Sequence, residues 1–237
     1  MRPMFTRRIF SLSLLSLGAS SLAGCYAPRS FPEPSGFGSS GRGLTRTLGR
    51  PNYAATYAPY PGERFAVPAV DYRQINPRFL RQTVDYPWEE PVGSVVVDPA
   101  AYHLYFVEAP GRATRYGVGV GREGFGWSGP ARINMKRDWP DWVPPREMIA
   151  RDPEIRARLE PTPRGLGVKG GPLSPLGARA MYLFGEGRDL GYRIHGTLEP
   201  LTVGSNVSSG CIRMINQDIV HLYTRAALGT PVTVLPT

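Results

Sequence analysis

The chain has 237 residues, a formal net charge of +9, two cysteines and three histidines. Histidines this far apart, with no H-E-x-x-H and no paired cysteines, exclude a recognisable metal site. A positive charge without a basic stripe interleaved with aromatics excludes a nucleic-acid surface, so no nucleic-acid partner is expected.

Residues 1–24 open with Arg2, Arg7 and Arg8, continue through an apolar run from Ile9 to Leu22 and end in small residues. The run is too short and too interrupted for a lasting membrane span and reads as an export signal. Leu22-Ala23-Gly24-Cys25 resembles the bacterial lipobox, in which the cysteine sulfur receives a diacylglycerol anchor, and Thr6-Arg7-Arg8-Ile9-Phe10 also fits a twin-arginine signal. The expectation is an exported, lipid-anchored protein on the periplasmic face of the envelope. Tyr26 is not the aspartate that favours inner-membrane retention, so the outer membrane is preferred. Loss of residues 1–24 lowers the charge to +6, still enough to attract wall polymers, lipid head groups or carboxylate-bearing peptides.

Residues 25–62 are dense in Pro, Gly, Ser and Tyr without sustained periodicity and are expected to form a linker from the lipid anchor. Residues 63–92 are transitional, with a short helix near Asn76–Arg81, and residues 93–237 are expected to hold the folded domain. Ser94–Asp98 and Tyr102–Val107 flank a turn and predict a hairpin, followed by strands at Ala113–Val120 and Ala131–Met135. A helix is expected over Arg146–Leu159, strands at Ala180–Phe184 and Tyr192–His195, and a closing strand at Pro231–Leu235. Asn216 is placed to cap a helix presenting Ile219, Leu222, Tyr223 and Ala226 on one face. The fold class read from this order is mainly β, a sandwich or barrel with a few short helices.

Gly119-Val120-Gly121-Arg122-Glu123-Gly124 matches G-x-G-x-x-G, but Phe125-Gly126-Trp127-Ser128-Gly129-Pro130 cannot start the helix that nucleotide binding needs, so a loop and no cofactor are expected. His103 and His221 fall off the apolar faces of their elements and read as surface residues. His195 ends a strand before Gly196-Thr197, where a side chain is held rigidly and the backbone stays open. If Cys25 is lipidated, Cys211 has no disulfide partner and is a candidate reactive thiol; a buried structural cysteine or a Cys25–Cys211 bridge are the alternatives. A thiolate beside an imidazole can attack a carbonyl, and Gly210 before Cys211 leaves two N–H groups free to face an oxyanion.

Tyr192-Arg193-Ile194-His195-Gly196-Thr197, with Ser208-Ser209-Gly210-Cys211-Ile212-Arg213-Met214 and Asn216, Asp218 and Leu222, resembles the L,D-transpeptidase catalytic domain, the YkuD or ErfK/YbiS group. The resemblance runs from about Asn76 to Leu235 and implies that fold. It implies an enzyme acting on peptidoglycan stem peptides, in which Cys211 attacks the carbonyl between the diamino acid and the terminal D-Ala. D-Ala leaves, a thioester remains, and an amine of another stem or of an envelope protein resolves it. Carried onto this chain, His195 is the general base, oriented by the backbone carbonyl of Gly196, and the N–H groups of Gly210 and Cys211 face the oxyanion. Arg213 is a candidate for a substrate carboxylate because a guanidinium fork matches its geometry, with a structural salt bridge as the alternative. Ser208, Ser209, Arg193 and Tyr182 are further substrate-binding candidates. The resemblance also implies acylation of Cys211 by carbapenem-type β-lactams.

Ser209 stands where many members carry histidine, and Arg213 where some carry asparagine, so an auxiliary second histidine is missing and donor contacts differ. The Trp-, Pro- and Gly-rich stretch from Trp139 to Gly171 is expected to form a lid, with Trp139 and Trp142 as apolar walls over the thiol. The rival functions are an L,D-carboxypeptidase using water as acceptor, a non-catalytic peptidoglycan-binding lipoprotein and a papain-like endopeptidase. The order of histidine before cysteine speaks against the last.

Overall fold

The structure, a computed structural model, describes residues 45–121, 127–151, 153–208 and 211–237. The export signal, Cys25 and the first part of the linker lie outside these residues, as do residues 122–126 of the glycine-rich loop. The strands are β1 (Gln82–Tyr86), β2 (Val95–Asp98), β3 (His103–Ala109), β4 (Gly111–Gly117), β5 (Val120–Gly121), β6 (Gly129–Asp138), β7 (Glu160–Thr162), β8 (Gly165–Gly167), β9 (Arg179–Gly185), β10 (Arg188–His195), β11 (Asn206–Ser208), β12 (Ile212–Arg213) and β13 (Pro231–Val234). The α-helices are α1 (Tyr53–Thr56), α2 (Arg146–Arg151), α3 (Pro153–Ala157) and α4 (Asn216–Arg225).

Nine strands form one sheet in the order β1-β4-β3-β2-β13-β6-β9-β10-β12. Its ends approach each other, because Gly119, just beyond β4, exchanges two backbone hydrogen bonds of 2.9 and 2.8 Å with Arg213 of β12. The sheet therefore curls toward a barrel, and one apolar cluster joins Val95 and Val97, Leu104 and Phe106, Met181 and Leu183, Ile194 and Ile212 with Ile219 and Leu222 of α4. Val96 points the other way, into a second cluster with Val84, Tyr105 and Val107, as alternation along a doubly covered strand requires. The expected mainly β architecture is observed.

The helix expected over Arg146–Leu159 is broken into α2 and α3. Proline has no N–H to continue a helix but suits a first helical position, so Pro153 ends one piece and opens the next. The first turn of α4 is capped by Ile215 without a side-chain bond. Asn216 is not the cap, because its amide is used elsewhere.

The linker expectation fails from Thr45 onward, and this stretch packs on the domain. Tyr57 is buried with Ile75, Leu80, Val203 and Ile215. Its hydroxyl donates to Asp218 Oδ2 at 3.1 Å and accepts the Arg81 N–H at 2.7 Å. Tyrosine, which made the composition look loose, here supplies rigid apolar area, with Tyr53 and Tyr72 packed on the same cluster. His103 is likewise buried rather than exposed, since the turn Pro77–Phe79 covers its face of β3 and the Arg78 carbonyl accepts from Nε2 at 3.1 Å. His221 is half-buried against Tyr116, 2.7 Å from Nδ1 to the hydroxyl.

Asp218 is fully buried, 3.6 Å from Arg81 Nε, and burial raises its pKa to about 7 against the opposing pull of Arg81 and Tyr57. A carboxyl whose folded pKa exceeds its unfolded value of about 3.9 adds stability that is complete below that value and is lost as pH rises through the folded pKa. Thermal denaturation of the wild type and of Asp218→Asn from pH 4 to pH 8 should therefore show the wild type losing ground steadily toward pH 7. A gap between the two that is constant with pH would contradict the assignment.

Candidate active site

β10 and β12 pair in parallel, Ile194 with Ile212 and His195 with Arg213. Ile194 and Ile212 enter the core cluster, so the two-residue alternation places Arg193, His195 and Arg213 on the opposite face. Cys211 immediately precedes β12, and the charges of Arg193 and Arg213 act on its thiol. A narrow apolar cavity beside Cys211 is lined by Val120, Trp127, Tyr192 and Ile212, with Trp127 and Tyr192 stacked at 5.1 Å.

His195 is 4% exposed, and its Nδ1 lies 2.5 Å from the Gly196 carbonyl. A carbonyl only accepts, so Nδ1 carries the proton and the lone pair of the neutral ring is on Nε2. Burial lowers the His195 pKa to about 4, helped by Arg213 and Arg193 and opposed by the bond to Gly196. Burial pushes the Cys211 thiol up, against the charge of Arg193, a backbone hydrogen bond from Arg193 and the charge of Arg213. At neutral pH the site rests as a neutral thiol and a neutral imidazole.

The Gly196 carbonyl is held by Asn216. Its Oδ1 accepts from the Ala178 N–H at 3.0 Å and its Nδ2 donates to the Thr197 carbonyl at 2.9 Å, tying the start of β9 to the turn after His195. A Cβ on Gly196, or on Gly177 at φ +63°, would collide with Asn216 Oδ1. Both glycines are therefore required by the close approach of this one amide. The sequence motif gave Asn216 no such role, and its distance from Ala178 in the chain hid it.

The substrate-binding candidates are distributed unequally. Arg213 donates to Glu199 at 3.2 Å, an exposed pair of the kind worth about 0–1 kcal/mol. Arg193 makes two 2.8 Å bonds to Asp189 and lies 4.3 Å from the centre of the Tyr182 ring. Tyr182 pairs with Arg193 across β9 and β10 and so belongs to the same face as His195. Ser208 closes β11, whereas Ser209 and Gly210 lie outside the described residues. The lid expectation is corrected at Trp139, which is 5% exposed and packs with Val67, Ala178, Val220 and Phe65. Trp127, not Trp139, is the tryptophan beside the thiol. Among the described residues no cluster of His, Cys, Asp and Glu could hold a metal ion.

Asn216→Ala strands the Ala178 N–H and the Thr197 carbonyl in the interior, at about 1–3 kcal/mol each. Both Asn216→Ala and Gly196→Ala should lower the thermal midpoint by several degrees and slow turnover more than tenfold. A Gly196→Ala protein with wild-type stability and rate would show that the clip does not position His195.

Residues 93–234 match the family model described as YkuD, L,D-transpeptidase catalytic domain. The chain is 33% identical over 143 residues to YbiS of Escherichia coli K12, described as a probable L,D-transpeptidase, covering 58% of this chain and 43% of YbiS. ErfK/SrfK of Salmonella typhimurium, also described as a probable L,D-transpeptidase, is 28% identical over 203 residues, 82% of this chain and 56% of that one. The chain thus spans about half the length of these relatives. A crystal structure of a probable carnitine operon oxidoreductase from Brucella melitensis is 47% identical over 70% of this chain and 99% of that chain, with a TM-score of 0.46. With a catalytic-domain match over more than half its length, a histidine that ends β10 and a cysteine just before the adjoining β12, the chain belongs to the YkuD L,D-transpeptidase family.

Proposed function

We propose that the protein is a peptidoglycan L,D-transpeptidase that works through a Cys211 thioester. What supports this reading is the match to the L,D-transpeptidase catalytic domain together with the β10–β12 pairing, which sets the strand ending in His195 beside the one that Cys211 precedes. In the first half-reaction Nε2 takes the proton from Sγ as sulfur attacks the stem-peptide carbonyl. The oxyanion faces the N–H groups of Gly210 and Cys211. The C–N bond breaks, the proton passes from His195 to the departing amine of D-Ala, and the acyl group stays on sulfur. In the second, an acceptor amine gives its proton to His195, attacks the thioester and releases the thiol.

An imidazole that is neutral at rest and raised in basicity by its bond to Gly196 serves as base first and acid second without a resting ion pair. Arg213 can exchange the exposed Glu199 for a substrate carboxylate at small cost, because the pair it gives up is weak. We further propose that Cys25 carries a lipid that holds the domain at the periplasmic face of the envelope, as the lipobox pattern indicates. Among the described residues no helix is long and apolar enough to cross a membrane.

Purified protein incubated with disaccharide-tetrapeptides should yield dimers lacking one D-Ala, detected by mass spectrometry. His195→Gln should slow this about 10²–10⁴-fold, the range of general-base catalysis, and Cys211→Ala should abolish it. Tripeptide alone would assign water as the acceptor and a carboxypeptidase. Unchanged substrate with retained wall binding would assign a non-catalytic binder.

A further inference from the structure

Residues 57–70 precede the catalytic domain in the chain, yet they fasten both sides of the turn that carries the Gly196 carbonyl. They form a closed loop. The Val70 N–H donates to the Tyr57 carbonyl at 3.0 Å, and Tyr60 and Val67 exchange backbone hydrogen bonds of 2.9 and 3.1 Å. A loop closed in this way can hold its neighbours in a fixed geometry, which a solvated tether cannot.

On one side the loop holds the start of β9. Glu63 forms an ion pair with Arg179, and each of the two side chains is only 10% exposed. The Arg179 carbonyl accepts the Gly196 N–H at 3.0 Å, so the residue that Glu63 grips is the one that holds the Gly196 peptide. Phe65 and Val67 pack next to it against Trp139 and Ala178. On the other side the loop holds the first turn of α4, where Gln217 Nε2 donates to the carbonyls of Ala58 at 3.2 Å and Pro68 at 2.8 Å. Gln217 follows Asn216, whose amide ties Ala178 to Thr197. The two supports of the Gly196 turn, β9 and α4, are therefore fastened to one loop by contacts that are mostly out of water and so weakly screened.

We propose that Glu63 and Gln217 are positioning residues for the reaction, holding the Gly196 carbonyl, through Arg179 and through Asn216, where it orients His195. The inference rests on the reading of His195 as general base and adds a segment ahead of the catalytic domain to what sets the rate. Neither residue gains or loses a proton in the reaction. They act on where the His195 ring sits, and a misplaced base slows the chemical step while leaving donor binding intact. Arg179 keeps a second carboxylate, Asp138 at 3.3 Å from its Nε, so removing the charge of Glu63 does not leave the guanidinium without a counterion.

The test uses the full chain with a disaccharide-tetrapeptide donor, steady-state kinetics and ¹⁵N NMR of histidine-labelled protein. Glu63→Gln and Gln217→Leu should each lower kcat about 10-fold to 100-fold, the cost of a small misplacement of a catalytic group, with KM for the donor unchanged. In both, the His195 proton should no longer reside on Nδ1 alone. Glu63→Asp, which keeps the charge, should recover part of the rate. Val84→Ala, in the apolar cluster on the other face of the sheet, should lower the thermal midpoint with neither effect. Variants that keep the wild-type kcat and the Nδ1 signature, or a loss of kcat that Val84→Ala reproduces at the same thermal midpoint, overturn the inference. A wild type that forms no thioester overturns the transpeptidase reading beneath it, while the His195 signature still decides whether Glu63 and Gln217 set the ring.

Discussion

The hydrogen bond from His195 Nδ1 to the carbonyl of the next residue is the constraint on which the site depends. It fixes the ring orientation and leaves the basic lone pair on Nε2, an orienting role that a third side chain plays in many cysteine and serine enzymes. A backbone carbonyl is only as well placed as the turn that carries it. Here that turn is fastened by Asn216, which reaches from the first turn of α4 to Ala178 and Thr197. The helix is in turn fastened by Asp218 to Tyr57 and Arg81. A chain of buried polar contacts therefore leads from the segment before the first strand to the imidazole.

The electrostatics follow from depth. Burial of His195 and Cys211 disfavours the charged form of each, and the two nearby arginines act on both in the same direction, toward a deprotonated state. The arginines cannot make an imidazolium stable, but they favour a sulfur anion over the neutral thiol. Pairing Arg193 with Asp189 and Arg213 with Glu199 at the surface keeps this field in place without drawing a permanent countercharge into the site.

Much of this was legible in the sequence, and the parts that were not share a cause. Alternation marked β2, β3, β9 and β10, and the apolar spacing of Ile219, Leu222 and Ala226 marked the buried face of α4. His195 and Cys211 stand out as candidates because the residue types such chemistry needs sit in short local motifs. The linker was misread because Tyr57 is buried by partners more than 20 residues away in sequence, Arg81 and Asp218. Composition reports how a segment behaves alone, and Tyr57 is not alone. His103 was misread for a related reason: alternation tells which way a side chain points and nothing about whether another segment covers that side. Asn216 looked like a cap because asparagine caps helices. The competing use appears only when Gly177 and Gly196 are brought together in space.

The most direct measurement is the protonation state of His195 itself, read by ¹⁵N NMR of histidine-labelled protein between pH 4 and pH 8. The account predicts a neutral ring with the proton on Nδ1 from pH 8 down to about pH 5, in the wild type and in Cys211→Ala alike. An imidazolium at pH 7 that vanishes on removing the thiol, or a neutral ring with its proton on Nε2, would contradict it.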